Sequence, residues 1–175
     1  MTSEFVNRRE LSLRLLSFLS AVGFVGKAGA TTGSAANNEI SRTCECIHQE
    51  VVIRATPARV YQALTDEKQF RRVTDLSIPG ASTEISSEVG GTFSLFGGVI
   101  TGRHIEMVPR ERLVQAWREK DWAPGLYSVV RFQLNDAGSD TNLVFDHTGF
   151  PQGKAESLAS GWKSHYWEPL QKYLA

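Results

Sequence analysis

From residue 50 onward the apolar positions of this chain fall into regular patterns that change period from segment to segment. Val51, Ile53 and Ala55 recur with period two, as one face of a strand does. The pattern then switches without a linker. Thr56 is a capping residue type, and Pro57 suits a first helical turn, where a missing N–H costs nothing. Val60, Tyr61 and Leu64 follow at helical spacing, which predicts a helix over 57–65. Phe70, Val73 and Leu76 predict a second short helix within 66–80, stopped before Pro79-Gly80. Strands are then predicted at 83–89, ending at Gly90-Gly91, and at 92–96, ending at the hairpin signal Gly97-Gly98. Four more are predicted at 99–108, 113–119, 127–134 and 142–148, separated by Pro109-Arg110, the loop 120–125 and the turn 135–138.

The alternation within these strands assigns their faces. Val130, Phe132 and Leu134 share one side against Arg131 and Gln133; Leu143, Phe145 and His147 alternate with Val144 and Asp146. An antiparallel meander with one apolar face needs a cover. The last segment, 154–174, supplies it as a helix with Leu158, Trp162, Tyr166 and Leu170 at spacing four, broadened by Trp167, Tyr173 and Leu174. Two of its residues oppose a plain helix. Gly161 costs about 1 kcal/mol relative to alanine. Pro169 removes the bond to the His165 carbonyl, which predicts a kink in a helix lying tightly across a curved sheet. The alternative is a helix that ends near 167 and restarts at Pro169. The fold class expected is α+β: a curved antiparallel sheet of six or seven strands wrapped around a long C-terminal helix, with two short helices after the first strand.

Composition changes this picture at the N-terminus. Asn7-Arg8-Arg9 followed by the diluted apolar stretch 15–25, then Lys27 and Ala28-Gly29-Ala30, reads as an export signal of twin-arginine type, cleaved near Ala30. Leu11 and Asn7 stand where that signal usually has Phe and Ser. The alternative is a retained amphipathic helix or anchor. The apolar stretch is shorter than the roughly 20 residues a bilayer span requires, so no stable membrane span is expected. Residues 31–43, rich in Ala, Thr, Asn, Ser and Gly, are expected to be a disordered spacer, and 44–175 the folded domain. The whole chain has 19 basic and 19 acidic side chains; without residues 1–30, which hold four basic and two acidic ones, 15 and 17 are left. A balanced charge gives no electrostatic case for a nucleic-acid partner.

Several motifs in this layout resemble one family. They are Ala55 to Asp66 (ATPARVYQALTD), Gly90-Gly91-Thr92-Phe93, His147-Thr148-Gly149-Phe150-Pro151, and Gly161-Trp162 followed by Tyr166-Trp167-Glu168-Pro169-Leu170. Together they are similar to the START-like (SRPBCC) superfamily, in the branch named after the C-terminal domain of the heat-shock-protein-90 ATPase activator, over about residues 47–174. The resemblance implies a helix-grip fold with an elongated cavity between sheet and helix. Family members often carry a tryptophan pair after the first helix, where this chain has Arg71-Arg72.

Apolar cavities with a few polar groups are the usual small-molecule sites. The expected lining is Phe93, Leu95, Ile105, Trp117, Val130, Phe132, Phe145, His147, Trp162 and Tyr166, each of which is otherwise ordinary core. Four Trp and nine Phe are more aromatic bulk than a small core needs, and Trp and Tyr add a polar handle. His147 is the leading polar candidate, as a ligand contact or a general base, or as a histidine tied to its neighbours. Asp121 and Trp122 are expected at the cavity mouth or in a solvated turn. Cys44, Cys46 and His48 share one strand face, but three soft ligands without a Cys-x-x-Cys pair do not make a metal site, and a disulfide two residues apart would be strained. No cofactor is expected. Three functions stay open: a non-catalytic binder of a hydrophobic or aromatic small molecule outside the cytoplasm, a chaperone-associated module, and a cyclase- or aromatase-type enzyme using His147. An apolar cavity mouth is also a surface on which a second copy of the chain could pack.

Overall fold

The structure is a computed structural model that describes residues 45–175. The expected export signal, the spacer at 31–43 and Cys44 lie outside the described residues. Strand β1 (Cys46–Ile53) leads into helices α1 (Pro57–Thr65) and α2 (Glu67–Asp75). Six strands follow: β2 (Glu84–Ile85), β3 (Thr92–Leu95), β4 (Ile100–Val108), β5 (Arg112–Glu119), β6 (Ser128–Ala137) and β7 (Asp140–Thr148). They form one antiparallel sheet in the order β1-β7-β6-β5-β4-β3-β2, so the first strand pairs with the last. The C-terminal cover comprises α3 (Ala155–Trp162), a π-helical turn (Lys163–Trp167) and α4 (Glu168–Leu174), with α1 and α2 packed against α4. This is the α+β helix-grip layout read from the sequence. Among the described residues no helix is long and apolar enough to cross a membrane.

Local chemistry accounts for each departure from the predicted elements. The strand expected at 83–89 shrinks to two residues because its backbone bonds go elsewhere. The Gly91 N–H donates to the Glu88 carbonyl and the Gly90 N–H to that of His104, which leaves Val89 exposed in a turn. Strands β6 and β7 extend beyond their predicted ends to a tight connection at Gly138, the last residue of the predicted turn, whose φ is 81° and whose N–H donates to the Asp136 carboxylate at 2.8 Å. Strand β4 carries a bulge between His104 and Glu106. Before it Ile100, Gly102 and His104 face inward; after it Met107 packs on the core, and Ile105 is the extra residue, turned out to solvent. Phe93 lies over its cross-strand partner Gly102, where any side chain would collide with the phenyl ring.

The C-terminal segment does not end at 167. It passes Pro169 through the π turn, in which the Glu168 N–H donates to the Lys163 carbonyl five residues back. Pro169 then sits in the first turn of α4, where its missing N–H is cheapest. A methyl group built at Gly161 meets nothing within 4 Å, so the expectation of a helix lying tightly across the sheet does not hold at this residue. The space beside Gly161 is open.

Candidate functional site

That space is a cavity of about 270 Å³ between the β3–β4 end of the sheet, β5 and the C-terminal helix. Phe96, Ile100, Trp117, Leu158, Trp162 and Tyr166 form its apolar walls, and Gly161 lines it from the same helix as Leu158 and Trp162. Ile78 and Val99, exposed by 38% and 37%, form its rim. Phe96 is held with φ at 54°, an uncommon conformation for a bulky residue, and its ring packs edge-on against Tyr166 at 5.5 Å. Trp162 lies 4.2 Å from the Tyr166 ring and 5.4 Å from Trp117. Trp122 backs Trp117 from behind at 5.5 Å.

Three further polar side chains, Glu119, Ser157 and His165, reach the same cavity. Glu119 accepts from the Trp122 indole N–H at 3.1 Å, and the Ser157 hydroxyl donates to the Lys154 carbonyl at 3.0 Å. In contrast, Trp117 Nε1, His165 Nδ1 and the Tyr166 hydroxyl have no partner. Burial pushes the Tyr166 phenol well above its ordinary range, so it stays protonated. The nearby Trp117 indole opposes that shift slightly, although no hydrogen bond of ordinary geometry joins the two.

His147 does not face the cavity. It is fully buried, and both ring nitrogens are engaged. The Trp162 indole N–H donates to Nδ1 at 3.0 Å, which leaves the proton on Nε2. Nε2 lies 2.7 Å from the Ser128 hydroxyl, which in turn donates to the Trp117 carbonyl at 2.9 Å. Burial lowers the His147 pKa to about 3, so the ring is neutral. A neutral imidazole with both nitrogens committed holds Trp162 and Trp117 in place; it is not presented to a ligand.

Of the ten expected lining residues, the cavity brings together Trp117, Trp162 and Tyr166. Phe132 and Phe145, 5.1 Å apart, pack with Trp162 and Trp167 into the adjoining core, and Val130 is fully buried beside them. Phe93 and Leu95 are buried in β3 and do not line the cavity. Ile105 is 50% exposed on the outer face, because the bulge turns it away. Asp121 is exposed in its turn, and Trp122 is buried behind the cavity wall. Cys46 and His48 occupy alternate exposed positions of β1, and the His48 ring bonds Asp146 at 2.7 Å. Arg71, standing where the resemblance led to tryptophan, donates to the Thr83 carbonyl at 3.1 Å and so ties α2 to the approach of β2.

Sequence reading missed Phe96, Ile100, Leu158, Gly161 and His165 as lining residues. A signal existed for three of them: Leu158 falls four positions before Trp162 and His165 three after it, and Gly161 falls three after Leu158 and four before His165, on the same side of the helix.

Comparison with known proteins agrees with this architecture. The family model described as Activator of Hsp90 ATPase homolog 1-like protein matches residues 54–175. The human activator of 90 kDa heat shock protein ATPase homolog 1 is 24% identical over 130 residues, which are 74% of this chain and 37% of that protein. The chain therefore spans little more than a third of that relative's length. The crystal structure of an HSP90 activator from Plasmodium falciparum superposes with a TM-score of 0.68 at 25% identity, covering 74% of this chain and 95% of that one. The solution structure of the Aha1 dimer from Colwellia psychrerythraea gives 0.61 at 18% identity over 74% of this chain and 96% of that one.

Proposed function

Because the chain belongs to the Activator of Hsp90 ATPase homolog 1-like family, whose model takes in residues 54–175, we propose that it uses this sheet-and-helix scaffold to hold an apolar or aromatic small molecule without turning it over. The observation that carries this reading is the cavity of about 270 Å³ with aromatic walls and an apolar rim. Unfilled space in a core costs stability roughly in proportion to its volume. Gly161 adds about 1 kcal/mol of helix propensity to that cost, at a wall position where an added methyl group meets nothing within 4 Å. A ligand that occupies the cavity offsets both. The Asn7-Arg8-Arg9 and Ala28-Gly29-Ala30 signals support binding outside the cytoplasm.

The test uses β-methylnaphthalene in equilibrium dialysis against the native protein and Gly161→Leu, whose isobutyl group fills the cavity. The native protein is expected to bind and the variant to lose about tenfold or more in affinity while its circular dichroism is unchanged. Equal binding by both proteins, or by neither, would remove the cavity reading.

A second reading is favoured by the likeness to the Plasmodium HSP90 activator, nearly all of which is covered: a chaperone ATPase-activator-like module working through its outer surface. ATP turnover by an Hsp90-type chaperone, measured with and without this protein, separates the two. A stimulation that Gly161→Leu leaves intact moves the function to the surface.

A further inference from the structure

Buried polar groups in folded proteins are almost always hydrogen-bonded, and each one left alone is costly. Next to the cavity this chain keeps the rule closely. His147, Ser128, Trp162, Trp167 and Gln49 are all partnered in one short stretch of core. Among the described residues five buried side-chain polar atoms lack a partner, and three of them belong to residues that line the cavity: Trp117 Nε1, His165 Nδ1 and the Tyr166 hydroxyl. Trp117 and Tyr166 are 3% and 6% exposed, so bulk water does not satisfy them.

The chemistry of these atoms is specific. An indole N–H can only donate, while a phenol hydroxyl donates or accepts. Burial keeps Tyr166 protonated, so its proton is available. The Trp117 N–H lies near the Tyr166 oxygen without bonding it, so a single oxygen atom placed within reach of both partners these two groups. The walls around them, Trp162, Phe96 and Tyr166, are aromatic faces and edges, which favour a flat ring. A dry cavity of about 150 Å³ holds benzene. At about 270 Å³ this one suits one or two rings.

Resting on the cavity reading above, we infer that the ligand is a planar aromatic of one or two rings carrying a hydroxyl or carbonyl oxygen, which accepts from the Trp117 indole N–H and shares a hydrogen bond with the Tyr166 hydroxyl. The ring supplies affinity against Trp162 and Phe96; the oxygen supplies selection.

The experiment compares β-naphthol with β-methylnaphthalene, which have the same shape and differ in a hydroxyl for a methyl group. Naphthol is the more water-soluble, so a purely apolar cavity ranks it second. Equilibrium dialysis of the native protein is expected to show naphthol bound about tenfold more tightly. Tyr166→Phe removes an unpartnered hydroxyl and should melt close to the native temperature. It is expected to bring the two affinities within about twofold while leaving that for methylnaphthalene unchanged. Trp117→Phe should act in the same direction. Equal binding of both probes by the native protein, or a naphthol preference that survives both substitutions, overturns this inference and leaves the cavity reading standing. Binding of neither probe overturns both.

Discussion

At His147 burial alone sets the charge state: the ring is neutral down to a pKa of about 3, against 6.5 in an unfolded chain. Between those values the unfolded state binds a proton that the folded state refuses. The contribution of His147 is therefore complete above about pH 6.5 and is lost as pH falls toward 3. His104, also lowered by burial, acts in the same sense, and exposed His48, raised by its bond to Asp146, acts in the opposite one. From about pH 7 to about pH 5, above the range where most carboxylates titrate, urea unfolding of the native protein should show stability falling, His147 alone contributing up to about 1.4 kcal/mol per pH unit. His147→Gln should be less stable at neutral pH and show a shallower slope, with the His104 contribution retained. An unchanged slope in that variant would remove this account of His147. The position of His147 on the inward strand face was legible from its alternation with Asp146. Its partners were not, because Ser128 and Trp162 come from a different strand and from the helix.

At the scale of elements the C-terminal helix decides the site. An α-helix advances about 100° per residue, so a row at spacing four drifts by about 40° at each step. Leu158, Trp162, Tyr166, Leu170 and Leu174 would wind well around a plain helix, yet all five are buried. The π turn at Lys163–Trp167 winds more slowly and takes back part of the drift, and it leaves Tyr166 and Trp167 both inside. Pro169 is compatible with it because the bonds shift to five residues back just before the proline. A strict spacing of four followed by a proline is thus readable as a π turn in this setting. Gly161 tests the helix and the cavity together. Gly161→Ala is expected to raise stability by about 1 kcal/mol, or about 4 °C in melting temperature, since its methyl group meets nothing within 4 Å. A lower melting temperature would mean that the wall beside Gly161 is closer than described.

For the whole molecule, the N-terminal quarter and the folded domain raise separate questions. The basic start, diluted apolar stretch and small-residue site at Ala28-Gly29-Ala30 lead to a mature chain beginning at Thr31 with an excess of two acidic side chains. Native mass spectrometry of the protein recovered from its own host is expected to give that mass plus a small-molecule adduct. A chain that still carries residues 1–30 would withdraw the export proposal. Within the domain, the order of strands and helices along the chain, the inward faces of β1, β6 and β7 and the covering helix were legible in the sequence alone, because alternation, helical spacing and Gly/Pro turn signals act within a few residues of one another. The same local rules could not tell Trp117, which lines the cavity, from Phe132 and Phe145, which fill the core, since alternation gives the side of a sheet and not the position along it. Nor could they foresee the bulge that turns Ile105 outward, the bonds that engage both nitrogens of His147, or the open space beside Gly161. Those were decided by tertiary structure, because each depends on what segments distant in the chain leave unfilled or unpaired when they pack.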